Sequence, residues 1–413
     1  MLSVADQTAR LERFVRWLSG FGELSYDHQS FFASDRTRRM KDVYYKQPLL
    51  GTALVAPIIF CEAFAPWMRT RFWKPQRFPI ADAHYAMGFA YLARATGQDQ
   101  FHARAVHFLE VLQQTRCPGF RNYCWGYPFH WQTRNGTIAA GTPLITTVPY
   151  VYEAFHAVYE LDGDAHWLEV MRSIAEHAQN DYRDWPVSAE ASTCAYTPAP
   201  DDPGKVVNAS AYRAFLLTRA AVDFGEASYR ETARRNLLYV LSAQNEDGSW
   251  PYATDGVRPF VDHFHTCFVM KALTKVEQLT GEGICWSALD RGVAYYLTHL
   301  FDENGLPRPF SRKPRLTVYK RELYDIAECI NLGVLLRGRY PGLDAALDRA
   351  AALEGWQKPD GSFRSRQLLL GWDDVPMHRW AQAQIFRSLS LLLLQEKGLV
   401  AGSPQAAQPA TER

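Results

Sequence analysis

The stretch Phe260-Val-Asp-His-Phe-His-Thr-Cys-Phe-Val-Met270 decides how the rest of the chain reads. Before it lies Gln244-Asn-Glu-Asp-Gly-Ser-Trp-Pro-Tyr252, a polar turn ending in aromatics. After it, Phe264, Phe268, Val269 and Leu273 keep a helical apolar spacing as far as Leu279-Thr-Gly281. A loop thus delivers two histidines and a carboxylate to the first turn of an apolar helix. Polar groups are costly there unless they are paired or used.

The same arrangement recurs along the chain. Apolar helices begin near His84, Thr147, Asn208, His263, Glu322 and His378, every 55 to 63 residues. A fixed period of this length marks a repeat architecture. More polar helices follow at about 99–114, 165–180, 227–243, 285–300 and 343–354. The links Thr96-Gly-Gln-Asp, Leu161-Asp-Gly-Asp and Leu279-Thr-Gly-Glu hold a glycine to end one helix and an acid to start the next. The sixth apolar helix, 378–396, has no polar follower. The amphipathic segment 5–19, with Leu11, Phe14, Val15 and Leu18 on one face, can serve instead. The expected fold is all-α: an (α/α)6 toroid over residues 1–397, closed by the N-terminal helix. An irregular insertion is expected at 20–81 and a disordered tail at 398–413.

Composition narrows the function. A net charge of +1 argues against a chain built to hold nucleic acid. Seven cysteines, an odd number without zinc-finger spacing, suit a reducing compartment better than a disulfide framework. The N-terminus lacks the basic-then-apolar layout of a signal peptide. The apolar run Leu49–Phe60 is too short to span a bilayer and carries Gly51 and Pro57. A cytoplasmic protein without a transmembrane segment is expected. The insertion holds two basic groups, Arg36 with Arg38, Arg39 and Lys41, and Arg69-Thr-Arg-Phe-Trp-Lys74 with Arg77. Such a mixture can bind an anion, although a solvated surface with its aromatics packed inward is the commoner outcome.

In a toroid, the loops entering the inner helices gather on one rim. Unpaired amides and positive dipole ends then converge on the mouth and favour an anionic ligand. Turns of the form Gln-x-x-x-Gly-x-Trp/Phe, at 244–250 and 357–363, read as architecture that packs an outer helix onto the barrel. The residues opening the inner helices are more telling. His265 is the principal candidate for proton transfer and Asp262, three residues earlier on the same face, is its orienting partner. His263 points to another face and should matter less. Glu322 or Asp325 would supply the complementary acid, since carboxylates one turn apart push their pKa values apart. Trp125, Tyr127, Trp131, Tyr150, Trp250 and Trp380 are candidate platforms for sugar faces. Asn208, Arg321, His378 and Arg379 are candidate polar contacts. No cofactor and no metal is expected.

With these pieces in place, the chain resembles the Vps-type bacterial polysaccharide-biosynthesis proteins. These are similar to six-hairpin glycosidases and to prenyltransferase and squalene-cyclase-like toroids. The resemblance spans about residues 80–395 and is carried by Trp125-Gly-Tyr-Pro-Phe, Asp262-His-Phe-His-Thr266 and Met377-His-Arg-Trp-Ala-Gln382. It implies the toroid and a polysaccharide context, with possible association with an assembly machine, but no single reaction. Three functions remain open. One is a carbohydrate-active hydrolase, lyase or epimerase acting on an anionic oligosaccharide, polysaccharide or precursor. The second is a terpenoid cyclase or prenyltransferase, for which the Asp-x-Asp-Asp motif is missing: Asp201-Asp202 and Asp373-Asp374 do not match it. The third is a silent carbohydrate-binding component.

Overall fold

Phe78-Pro79 opens the first inner helix, because proline at the first position has no amide hydrogen to leave unpaired. The computed structural model describes residues 3–314 and 317–399. Ahead of this point lie α1 (Val4–Phe21), α2 (Asp35–Lys46), α3 (Pro48–Phe64) and the single turn α4 (Arg69–Phe72). Six inner helices then follow: α5 (Pro79–Thr96), α7 (Val148–Asp162), α9 (Val207–Phe224), α11 (His263–Thr280), α13 (Leu323–Leu335) and α15 (Ala383–Glu396). They alternate with outer helices α6 (Asp99–Gln114), α8 (Ala165–Asn180), α10 (Ala227–Ser242), α12 (Trp286–His299) and α14 (Pro341–Ala352). Each inner helix packs on its two inner neighbours, and α5 meets α15, so the six close a ring. The (α/α)6 toroid read from the repeat is the observed fold. Short strand pairs decorate the rim, at 131–138, 184–194 and 261–262 with 310–312, together with a three-stranded sheet of 319–322, 366–368 and 372–373.

Helix α1 is the sixth outer helix. Ser3 caps its start, and Leu11, Phe14 and Leu18 are buried. The Phe14 ring lies 5.1 Å from that of Phe386 on α15 and 6.3 Å from that of Tyr85 on α5. The two Gln-Gly-aromatic turns show that α1 and α12 play equivalent parts. Gln244 Nε2 donates to the carbonyls of Gly248 and Ala288 on α12, and Gln357 Nε2 to those of Gly361 and Arg10 on α1. A Cβ on Gly248 would lie 2.4 Å from the Arg291 carbonyl oxygen, and one on Gly361 2.4 Å from that of Arg13. Both glycines also have positive φ, so no other residue fits either turn.

The insertion is more ordered than its sequence suggests. Residues 20–81 hold three helices and two 3-10 turns rather than irregular chain. Ser34 caps α2 and Pro48 opens α3. Periodicity misses α3 because it is apolar on every side. Of the expected tail, 400–413 lies outside the described residues.

Closure by α1 should be measurable. Phe14→Ala leaves a hole among Trp17, Tyr85, Phe363 and Phe386 and should cost about 3–5 kcal/mol in a urea melt. A loss below about 1 kcal/mol, the cost of a non-core change, would show that α1 does not seal the ring.

Candidate functional site

Alternation of inner and outer helices aims all six inner N-termini at one rim. Below that rim the lumen is filled. Tyr150, Tyr212, Phe268 and Tyr324 meet there with Lys271, Glu328, Arg387 and His84, all at most 6% exposed. Lys271 and Arg387 both pair with Glu328, and the Tyr150 hydroxyl hydrogen-bonds Tyr212 at 2.6 Å. Burial drives the Lys271 ammonium down to about 8 against the raising pull of Glu328. His84 is held neutral, first by burial and then by the nearby Arg387 and Lys271. The ring therefore has a filled lumen and no through-channel at this level.

At the mouth, His265 stands on the first turn of α11 with 22% of its side chain exposed. Its Nδ1–H donates to Asp262 Oδ2 at 2.6 Å, fixing the tautomer whose Nε2 is a free lone pair. The backbone sets this contact: Asp262 ends the strand Val261–Asp262 in extended conformation, one step before the helix. An aromatic circuit surrounds the dyad. Tyr252 lies edge-on to His265 at 4.7 Å, Phe264 at 4.4 Å, and Trp380 is 5.6 Å from Phe264. Arg379 stacks between Trp380 and Tyr127, and Trp131 is 5.6 Å from Tyr127. Of these, Tyr127, Trp131, Tyr252, Phe264, His265 and Trp380 are half-buried and keep surface toward solvent.

Several sequence candidates sit elsewhere. Trp125 and Trp250 are buried, and their Nε1–H groups donate to the carbonyls of Leu112 and Val240 on outer helices. They are staples of the barrel, with no face for a sugar. His378 is buried too: it accepts from the Tyr85 hydroxyl at 2.6 Å and donates to the Gly22 carbonyl, tying the end of α1 to the ring. Tyr150 and Asn208 lie inside the plugged lumen, 2% and 3% exposed. Arg379 gives Nε and one terminal nitrogen to Asp27, each at 2.7 Å, and Arg321 is held by Asp302 and Gln367. Each arginine is thus already paired with a carboxylate.

The two proposed acids are buried as well. Glu322 accepts from Arg366 Nε at 2.7 Å, with His28 Nε2 3.2 Å away but poorly aligned. Asp325 is fully buried, 3.7 Å from His263, and neither of its oxygens is hydrogen-bonded. Burial, then the neighbouring Glu322 and Asp262, pushes its carboxyl well above the usual range. His263 bonds the Tyr296 hydroxyl at 2.8 Å and is buried and neutral, its pKa pushed down to about 3.

Sequence reading passed over His28, Tyr252 and Phe264 at the mouth, and Lys271 and Arg387 beneath it. A charge inside an apolar inner helix was the available signal for the last two. His28 comes from the insertion, where no repeat could flag it.

No protein-family model matches the chain, and no curated protein matches it in sequence. Solved structures do share its fold. A cellobiose 2-epimerase from Spirochaeta thermophila superposes with TM-score 0.60 at 13% identity, over 78% of this chain and 86% of that one. A UGL variant, with dGlcA-Glc-Rha-Glc, gives 0.56 at 15% identity over 78% and 87%. An alpha-1,6-mannanase of a Salegentibacter species, in complex with alpha-1,6-mannotriose, gives 0.56 at 12% over 78% and 92%. The chain has their six-hairpin toroid. At these identities the likeness is one of fold.

The neutral His263 gives a pH test. Its ordinary pKa is 6.5, so between 6.5 and about 3 the unfolded chain binds a proton that the folded chain refuses. That contribution is complete above pH 6.5 and is lost on acidification at about 1.4 kcal/mol per pH unit. Stability of His263→Gln should fall less steeply than wild type, by about that slope, between about pH 6 and 4. Parallel slopes would mean His263 is charged in the fold.

Proposed function

We propose that the protein is a carbohydrate-active enzyme that moves a proton on a sugar ring held at the mouth, with His265 as the base and Asp262 as its orienting partner. The observation that carries this is the half-exposed His265, its Nδ1 bound to Asp262 and its Nε2 free inside an aromatic circuit. Aromatic edges and faces suit the C–H faces of pyranose rings, and a free imidazole nitrogen suits abstraction of a proton next to a carbonyl or carboxylate. Asp262 then stabilises the imidazolium. Hydrolysis in its usual form needs two carboxyl groups flanking the bond. Asp262, Glu322 and Asp325 are at most 3% exposed, so epimerisation or β-elimination fits the mouth better.

The substrate is a sugar chain or its precursor, and the motifs at Trp125, Asp262 and Met377 support a role in polysaccharide biosynthesis or modification, alongside an assembly machine. With Arg321 and Arg379 committed to other partners, preference for an anionic sugar would come from the six helix N-termini. Seven unpaired cysteines favour a reducing, cytoplasmic setting.

The test is solvent exchange. Incubated in D2O with a cellobiose or uronate oligomer series, the wild type should either place deuterium on one ring carbon, by epimerisation, or release an unsaturated sugar, by β-elimination. His265→Ala should slow this about a hundredfold or more, the scale of a lost general base. Asp262→Asn should be milder. Release of reducing ends with neither ring deuterium nor a new carbon–carbon double bond would make the protein a hydrolase, and an undiminished His265→Ala would move the base elsewhere.

A further inference from the structure

Helix α3 (PLLGTALVAPIIFCEAF) is apolar on every side, yet only one side is packed. Gly51, Val55, Ile58 and Ala63 face the protein, and Gly51 sits directly against the Tyr44 backbone of α2. Across the helix run Leu49 at 93% exposure, Leu50 at 55%, Phe60 at 63% and Phe64 at 50%, followed by Trp67 at 59%. Ala53, Ala56 and Pro57 fill the gaps, also exposed. The spacing makes one continuous stripe along a 17-residue helix, about 25 Å at 1.5 Å per residue. An apolar stripe of this size marks a surface that another body covers.

Charge decides which body. Residues 35–77 carry nine Lys or Arg against three Asp or Glu, a net of +6 in a chain whose total is +1. Arg36, Arg39, Arg71 and Lys74 are exposed and form no ion pair among the described residues. A second copy would bring the same excess against itself and be repelled. Anionic headgroups over an apolar interior match both the stripe and the charges that flank it. Trp67 at the end of the stripe is the residue type that settles at a membrane–water boundary. No single helix among the described residues is long and apolar enough to cross a membrane, and the chain bends by 115° between Pro48–Phe64 and Pro66–Phe72, which suits a segment lying in the interface.

We propose that the α2–α3 hairpin docks the protein onto an anionic lipid bilayer, lying in its interface. The hairpin and the chain flanking it are bolted to the rim by ion pairs: Glu62 on α3 to Arg366, and on either side Asp27 to Arg379 and Arg69 to Asp373. Gln132 beside the mouth also donates to Asp42 on α2. A docked hairpin therefore holds the rim, and the mouth with it, near the headgroups. Docking does not depend on the reaction assigned above.

The test uses the full chain and vesicles of phosphatidylcholine, alone or with about a quarter phosphatidylglycerol. The protein should sediment with the anionic vesicles and much less with the neutral ones, and salt should weaken the binding. Phe60→Asp with Phe64→Asp should lower affinity about tenfold or more at an unchanged melting temperature. Arg36→Glu with Arg39→Glu should cost about tenfold for anionic vesicles only. Brominated lipids should quench a tryptophan signal that Trp67→Phe removes. Failure to sediment with anionic vesicles would overturn the proposal, as would full binding by the Phe60/Phe64 double variant. A concentration-dependent dimer abolished by that variant would assign the stripe to a second copy instead.

Discussion

A ring of six helices leaves a lumen, and everything about this molecule's site follows from how that lumen is filled. Lys271, Glu328 and Arg387 meet at its centre under a lid of Tyr150, Tyr212 and Tyr324. Buried charges of this kind are tolerated only because they neutralise one another. Removing one partner typically costs about 3–5 kcal/mol, since the survivor is left uncompensated. The plug is thus a structural commitment. It closes the lumen beneath the rim and leaves the His265–Asp262 pair at the mouth, with His265 partly exposed.

The rim is built by two kinds of chain. The repeat supplies the helix N-termini, the dyad, Phe264 and Trp380. The insertion supplies what binds them in place: Asp27 occupies Arg379, Glu62 shares Arg366 with Glu322, and His28 lies against Trp380 at 5.5 Å. Cations that would otherwise invite a substrate carboxylate are spent on this attachment. The mouth keeps aromatic surfaces and backbone dipoles, and Arg36 and Arg39 on α2 stay exposed.

Much of the fold was legible because a repeat announces itself. Its period gave the inner and outer helices, and the lone segment 5–19 was the piece that completed the count. The Gln-Gly-aromatic turns were read as staples, and Gly248 and Gly361 show why, each pressed against a backbone carbonyl of the next outer helix. The dyad was legible from its three-residue spacing on a first turn. Depth was not. A position near the start of an inner helix says which way a side chain faces but not how far the lumen is filled beneath it, so Tyr150, Asn208 and Asp325 were placed at the mouth when they lie under it. Trp125, Trp250 and His378 were misplaced for a related reason: a loop residue on a rim can turn outward to cap a helix as easily as inward to meet a ligand. His28 was invisible, since its role comes from long-range contact between a non-repeating segment and the ring.

The central claim is that sugar chemistry happens at the mouth, over His265. A crystal structure of the protein with a bound oligosaccharide tests this most directly. A pyranose ring should rest among Trp131, Tyr252 and Trp380, with one carbon's hydrogen aimed at His265 Nε2 at about 3–3.5 Å from nitrogen to carbon. Sugar lodged instead in the outer cleft lined by Leu24, Lys74, Arg77, Arg116 and Pro118, with the dyad untouched, would contradict the account.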